Sequence, residues 1–66
     1  MRPGLKVKVK RIEKELKAID FAKEVGISRE YLRQIEAGKA KNPSIEIMKR
    51  ISKILETSVE DLFFQD

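Results

Sequence analysis

The side chains with the greatest chemical reach in this sequence are Arg29, Glu30, Arg33 and Gln34. Their three- and four-residue spacings put them along one side of a helix whose other side carries Leu32 and Ile35. An outward row of guanidinium, carboxylate and amide groups can donate to and accept from nucleic-acid base edges and phosphates. The same row is also what an ordinary solvated helix face looks like. Catalytic chemistry is poorly provided for. The 66 residues include no histidine and no cysteine, so thiolate chemistry, disulfides and the usual zinc ligands are excluded. With no clustered carboxylate pair and little chain to build a cleft, the expectation is a protein that is not an enzyme and uses no cofactor or metal.

Two turns must position that row. Val25-Gly26-Ile27-Ser28 reads as helix end, turn and new N-cap in four residues. Gly26 supplies a left-handed conformation just past one helix, and the Ser28 hydroxyl can accept from the first free N–H groups of the next. The second helix carries Tyr31, Leu32 and Ile35 and stops at Gly38. A basic loop, Lys39 to Pro43, follows. Ser44 then caps a helix whose apolar stripe is Ile47, Met48, Ile51, Ile54 and Leu55. Ser58 and Asp61 have the spacing of a capping box before a short last helix with Val59, Leu62 and Phe63.

The first third is less clearly written. Met1 to Gly4 reads as a disordered lead-in. Leu5 to Lys10 alternates apolar and basic residues, a strand signal, but Leu5, Val9, Ile12 and Leu16 recur at spacings of four, three and four, as on a helix face. The strong helix formers of Arg11–Leu16 favour the helix. Propensity alone draws one helix from about Lys6 to Val25, longer than most globular helices. So small a chain buries little against such a rod, so a break is expected near Glu15–Ala18, where no residue type marks it.

Charge is unevenly spread. The formal net charge is +4, and residues 1–41 carry 12 Lys/Arg against 6 Asp/Glu while residues 42–66 carry 3 against 5. A basic front region suggests a polyanionic partner. The longest apolar runs are two or three residues, so neither a membrane span nor a signal peptide is expected. The chain reads as one domain, 1–66, in a cytoplasmic, nucleoid-associated protein.

Two helices joined by a short glycine-containing turn form a helix-turn-helix. Here the pattern is longer: Ala22-x-x-x-Gly26-Ile-Ser28-x-x-x-Leu32-x-x-Ile35-Glu36-x-Gly38, then Pro43-Ser44 and Ser58-Val-Glu-Asp-Leu62-Phe63. It resembles the Cro/C1-type (XRE) helix-turn-helix family over about Val7 to Phe63. The resemblance implies an all-α, five-helix, lambda-repressor-like domain with helices near 5–14, 18–25, 28–37, 44–55 and 59–64. It is the resemblance that places the break before Ala18. Three departures stand out. The family's Ser/Thr-Gln at the start of helix 2, where the Gln grips a phosphate, is Lys17-Ala18 here. The glycine usually before them is Glu15. The Gly or Asn that often ends helix 4 is Glu56.

The resemblance implies a sequence-specific regulator, a repressor in kind, that reads double-stranded DNA in the major groove with helix 28–37. Base reading falls to Arg29, Glu30, Tyr31, Arg33 and Gln34, and phosphate contact to Lys17, Ala18, Ser28, Lys39, Lys41 and Asn42. Each has a plainer alternative: partial core for Tyr31, a cap for Ser28, a solvated turn for Lys39 to Asn42. Arg11 and Glu36 match a structural ion pair between helix 1 and helix 3. Ile47, Met48, Ile51, Leu55 and Leu62 are core. Adjacent Phe63 and Phe64 cannot both face one core, so they offer a candidate dimer contact, against the alternative of a disordered tail. A homodimer on a near-palindromic operator follows, with no small-molecule ligand. The rival function is a protein-interaction helix-turn-helix module, such as an antitoxin or a restriction–modification controller component.

Overall fold

A computed structural model describes residues 3–40 and 43–64. Five helices account for most of it: α1 (Pro3–Glu13), α2 (Ala18–Val25), α3 (Arg29–Glu36), α4 (Ile45–Leu55) and α5 (Val59–Phe63). There is no strand among the described residues. Helix α1 packs against α3, α4 and α5, while α2 packs against α3 and α4. All of them close over one core built from Val7, Phe21, Ala22, Val25, Leu32, Ile35, Ile51, Leu55, Leu62 and Phe63. The expected all-α, lambda-repressor-like architecture is the one observed. Ile51, Leu55 and Leu62 are buried, and Ile47 and Met48 pack against the core from its edge.

Helix starts follow the serine signals. Ser28, Ser44 and Ser58 each take an extended backbone conformation, and each hydroxyl accepts the N–H three residues on, from Tyr31 at 3.0 Å, Ile47 at 3.2 Å and Asp61 at 3.0 Å. Gly26, at φ 88°, donates its N–H to the carbonyls of Ala22 and Lys23 and turns the chain out of α2. A side chain there would be strained by the positive φ. Gly38, at φ 74°, turns the chain in the same way just beyond the Ala37 cap of α3.

The front of the chain departs from expectation in two ways. Helix α1 already begins at Pro3, so Pro3 and Gly4 are not a disordered lead-in (Met1 and Arg2 lie outside the described residues). Proline at a first helical position costs nothing, because that N–H has no helical partner anyway. Second, the apolar series 5-9-12-16 does not face inward. Val7 is fully buried, whereas Leu5, Val9 and Ile12 are 39%, 40% and 55% exposed. Only Leu16, beyond the end of the helix, packs on the core. The break after α1 falls where it is expected, between Glu15 and Ala18, and is made by Glu15 in a left-handed conformation, φ 58°. There the Leu16 N–H reaches back to the Arg11 carbonyl at 3.1 Å and the Glu15 N–H to that of Ile12 at 2.9 Å.

Glu56, which ends α4, is likewise left-handed at φ 52°. These are the two positions where the family pattern has a glycine or asparagine and this sequence does not. A β-carbon in that region costs roughly 1–2 kcal/mol. Glu15→Gly is therefore expected to raise stability by about 0.5–1 kcal/mol, the gain being trimmed by the freer unfolded chain. A denaturant midpoint that falls instead of rising would contradict this account of the break.

Candidate nucleic-acid interface

Helix α3 presents its polar residues in an ordered way. Leu32 and Ile35 are buried; Arg29, Glu30, Arg33 and Gln34 are exposed; Tyr31 lies between, partly buried against the core. Within the outward group, Arg33 grips Glu30 with two hydrogen bonds, Nε to Oε1 at 3.1 Å and Nη2 to Oε2 at 2.7 Å. That contact holds the Glu30 carboxyl below its usual pKa and raises that of the Arg33 guanidinium. Both side chains are well exposed, so the pair orders the helix face more than it stabilises the fold. Arg29 makes no hydrogen bond or ion pair with any described residue.

An open groove of about 520 Å³ runs along the α1 side of α3, and Arg29, Glu30, Arg33, Lys8 and Ala18 are among the residues that line it. It draws together three of the five residues expected to read bases and leaves out Tyr31 and Gln34. Lys8 is a groove residue that the sequence does not single out, since Lys6, Lys8 and Lys10 are equivalent until the helix is wound. Ala18, in place of a longer amide, leaves the α2 edge of this groove unfilled.

The expected phosphate contacts are placed unevenly. Lys17 is exposed at the N-cap of α2, and its side chain makes no cap hydrogen bond. Ala18, at the first position of α2, is half-buried against the core, so only its backbone could meet a phosphate. The Ser28 oxygen is engaged as a cap. Lys39 is exposed beyond α3. Lys41 and Asn42 lie outside the described residues.

Two contacts fix α3 and the turn before it. Arg11 donates from Nε and Nη2 to the Glu36 carboxylate at 2.8 and 3.3 Å, and from Nη1 to the Leu16 carbonyl at 2.8 Å. The side chains of this pair are only 11% and 9% exposed. One arginine thus ties the end of α3 to α1 and to the α1–α2 break. The second contact has no sequence signal. Arg50 of α4 donates to the Val25 carbonyl at 3.2 Å and pairs with Glu46 at 2.6 Å, bracing the C-terminal end of α2 at the turn. Phe63 is buried in the core, so of the two terminal aromatics expected to supply a dimer contact only Phe64, 63% exposed, is available.

A further ion pair joins the two left-handed regions. Lys14 Nζ lies 2.6 Å from Glu56 Oε1, and this hydrogen bond keeps the Glu56 carboxyl below its ordinary value of 4.5. A carboxylate with a depressed folded-state pKa adds stability above its unfolded-state pKa, and loses it as pH falls through the folded value. Glu56→Gln is expected to flatten that acid-side decline slightly. An unaltered pH profile of the melting temperature below pH 5 would show that the pair contributes nothing.

Comparison with known proteins agrees with this geometry. The profile of the family described as Helix-turn-helix matches residues 7–62. The chain is 34% identical over 59 residues to the HTH-type transcriptional regulator SinR of Bacillus subtilis, covering 89% of this chain and 53% of SinR. SinR of Bacillus licheniformis matches to the same extent. The HTH-type transcriptional regulator SlrR of Bacillus subtilis is 42% identical over 43 residues, 65% of this chain and 28% of SlrR. The chain therefore spans about half the length of the SinR relatives. No solved structure matches. Among the described residues no helix is long and apolar enough to cross a membrane.

Proposed function

This chain belongs to the Cro/C1-type (XRE) helix-turn-helix family, and from that premise we propose that it is a sequence-specific, double-stranded DNA-binding transcriptional regulator, a repressor in kind. The observation that carries the reading is Arg29: a guanidinium with no partner among the described residues, on the first turn of α3, lining an open groove that Lys8 and Arg33 also line. The start of a recognition helix is where side chains reach base edges most directly. In this reading Arg29 reads guanine, the Glu30–Arg33 pair and Gln34 extend the contact, and Tyr31 rests on sugar or a thymine methyl. Lys17, the Ala18 backbone, Ser28 and the basic loop from Lys39 through Lys41 and Asn42 hold phosphates and fix the register. Two copies would read a near-palindrome with half-sites about one helical turn apart. Such a protein acts in the cytoplasm, on the nucleoid.

Selection of bound sites from a random duplex pool tests this. The expected result is an enriched palindrome, with affinity that falls steeply as salt rises. Arg29→Ala is expected to lose about 1–3 kcal/mol of discrimination at one base position with the fold unchanged. No enriched site, together with salt-independent binding, would reject DNA reading. It would favour the second reading, a protein-docking module, which the short Ala18 side chain at the α2 edge of the groove supports.

A further inference from the structure

Leu5, Val9 and Ile12 form an apolar row that the fold leaves partly uncovered. At about 100° per residue they fall within about 60° of one another around α1. The row points away from the side that buries Val7 and Arg11. It is not part of the groove beside α3, whose α1 residues are Lys8 and Arg11. Spacings of four and three are those of a helix-pairing seam, in which Val9 takes one of the two core positions and Leu5 and Ile12 the other.

The charges beside the row say what fits it. On one flank stand Lys6 and, two turns on, Glu13; on the other stands Lys8, while Glu15 lies beyond the helix in the left-handed turn. The Lys6–Glu13 flank changes sign along the helix, from basic near the N-terminus to acidic near the C-terminus. A second α1 running antiparallel would set Lys6 against the partner's Glu13, with Val9 against the partner's Ile12. A parallel copy would pair Lys8 with the partner's Glu13 instead, but it would leave Lys6 unmatched and align the helix dipoles unfavourably. Among the described residues these flanking side chains make one ion pair, the exposed Lys10–Glu13 contact at 3.6 Å, which costs little to give up.

We infer that the outer face of α1 is a self-association seam on which a second copy of this chain docks antiparallel through Leu5, Val9 and Ile12, with Lys6 facing the partner's Glu13. An antiparallel pair of identical helices is two-fold symmetric and closes after two copies. The inference deepens the two-copy reading of the proposed function, which it supplies with an interface. Three apolar side chains make a small seam, so the pair is weak alone and is completed by two half-sites on one duplex.

Sedimentation equilibrium of the 66-residue chain, without DNA and up to millimolar concentration, tests it. The wild type is expected to associate reversibly to a dimer. Val9→Glu is expected to be monomeric with an unchanged helical spectrum, since Val9 is 40% exposed and lies outside the core. Lys6→Glu is expected to raise the dissociation constant about tenfold by setting like charges opposite. Lys6→Glu/Glu13→Lys is expected to return it to near the wild-type value. A wild type that stays monomeric would overturn the inference, as would a Val9→Glu dimer or an association lost in Phe64→Ala but kept in Val9→Glu. Weakening by Glu13→Lys with none by Lys6→Glu would overturn the antiparallel pairing. Half-site binding by the monomeric variant separates the two readings. If the seam fails while DNA is still bound, only the interface is wrong. If the seam holds and no duplex is bound, the DNA reading is wrong.

Discussion

Arg11→Ala is expected to cost about 3–5 kcal/mol, the range for removing one partner of a buried ion pair. For a chain of 66 residues total stability is on the order of 3–10 kcal/mol, so this one change takes the fold close to its unfolding threshold. The reason lies in what the guanidinium holds. It neutralises Glu36, which is 9% exposed, through two hydrogen bonds, and it satisfies the Leu16 carbonyl at the break between α1 and α2. Alanine leaves a carboxylate with little water and no cation, and the carbonyl without this donor. Lysine keeps the charge but lacks the planar fork, so Arg11→Lys is expected to recover only some of the loss. Arg11→Met/Glu36→Leu removes both charges together and is expected to be far milder than either single change to alanine. Thermal melts of the set decide the matter. A loss below about half a kcal/mol in Arg11→Ala would show that the pair is surface ornament.

Gly4→Ala is expected to destabilise by about 3 kcal/mol, the upper end of what overpacking costs, and to lower the melting temperature by about 12–24 °C. A β-carbon on Gly4 would lie 1.5 Å from the Ile35 carbonyl oxygen, 2.6 Å from its carbon and 3.1 Å from the Glu36 α-carbon. All three are backbone atoms of α3, so no side chain can rotate away, and α1 must back off from the helix it braces. The sign makes this a sharp test. Gly4 is helical, and by propensity alone alanine there would stabilise by roughly 1 kcal/mol. A stabilised Gly4→Ala would mean that α1 and α3 do not approach this closely. The same displacement would loosen α3, so on the proposed function weaker DNA binding is expected along with the lower melting temperature.

The two residues differ in how far the sequence announces them. Arg11 and Glu36 could be paired in advance through the family pattern, because each sits at a recognisable position. Gly4 could not, because a glycine beside a proline at a chain end looks like a loop. Only contact with a segment some thirty residues away reveals it as the point where two helices touch. Arg50 is similar: nothing local distinguishes a bracing arginine from the other cations of an amphipathic helix.

From Val25 onward, local signals in the sequence suffice for the helix starts and for the turns at Gly26 and Gly38. Gly26, Ser28, Gly38, Ser44 and Ser58 act through backbone conformation and hydrogen bonds within three or four residues, so their effects are readable without the fold. The polar and apolar sides of α3 follow from its own periodicity. The rest depends on tertiary contact. Packing chose which side of α1 is buried, taking Val7 and Arg11 inward and leaving Leu5, Val9 and Ile12 outside, because the inner side of α1 must approach α3 through Gly4 and meet Glu36 through Arg11. Packing also broke the continuous helical signal at Glu15, a residue with no local reason to turn left-handed. That turn is sustained by the Leu16 contacts with Arg11 and by packing of Leu16 on the core, and such contacts exist only once the helices have come together.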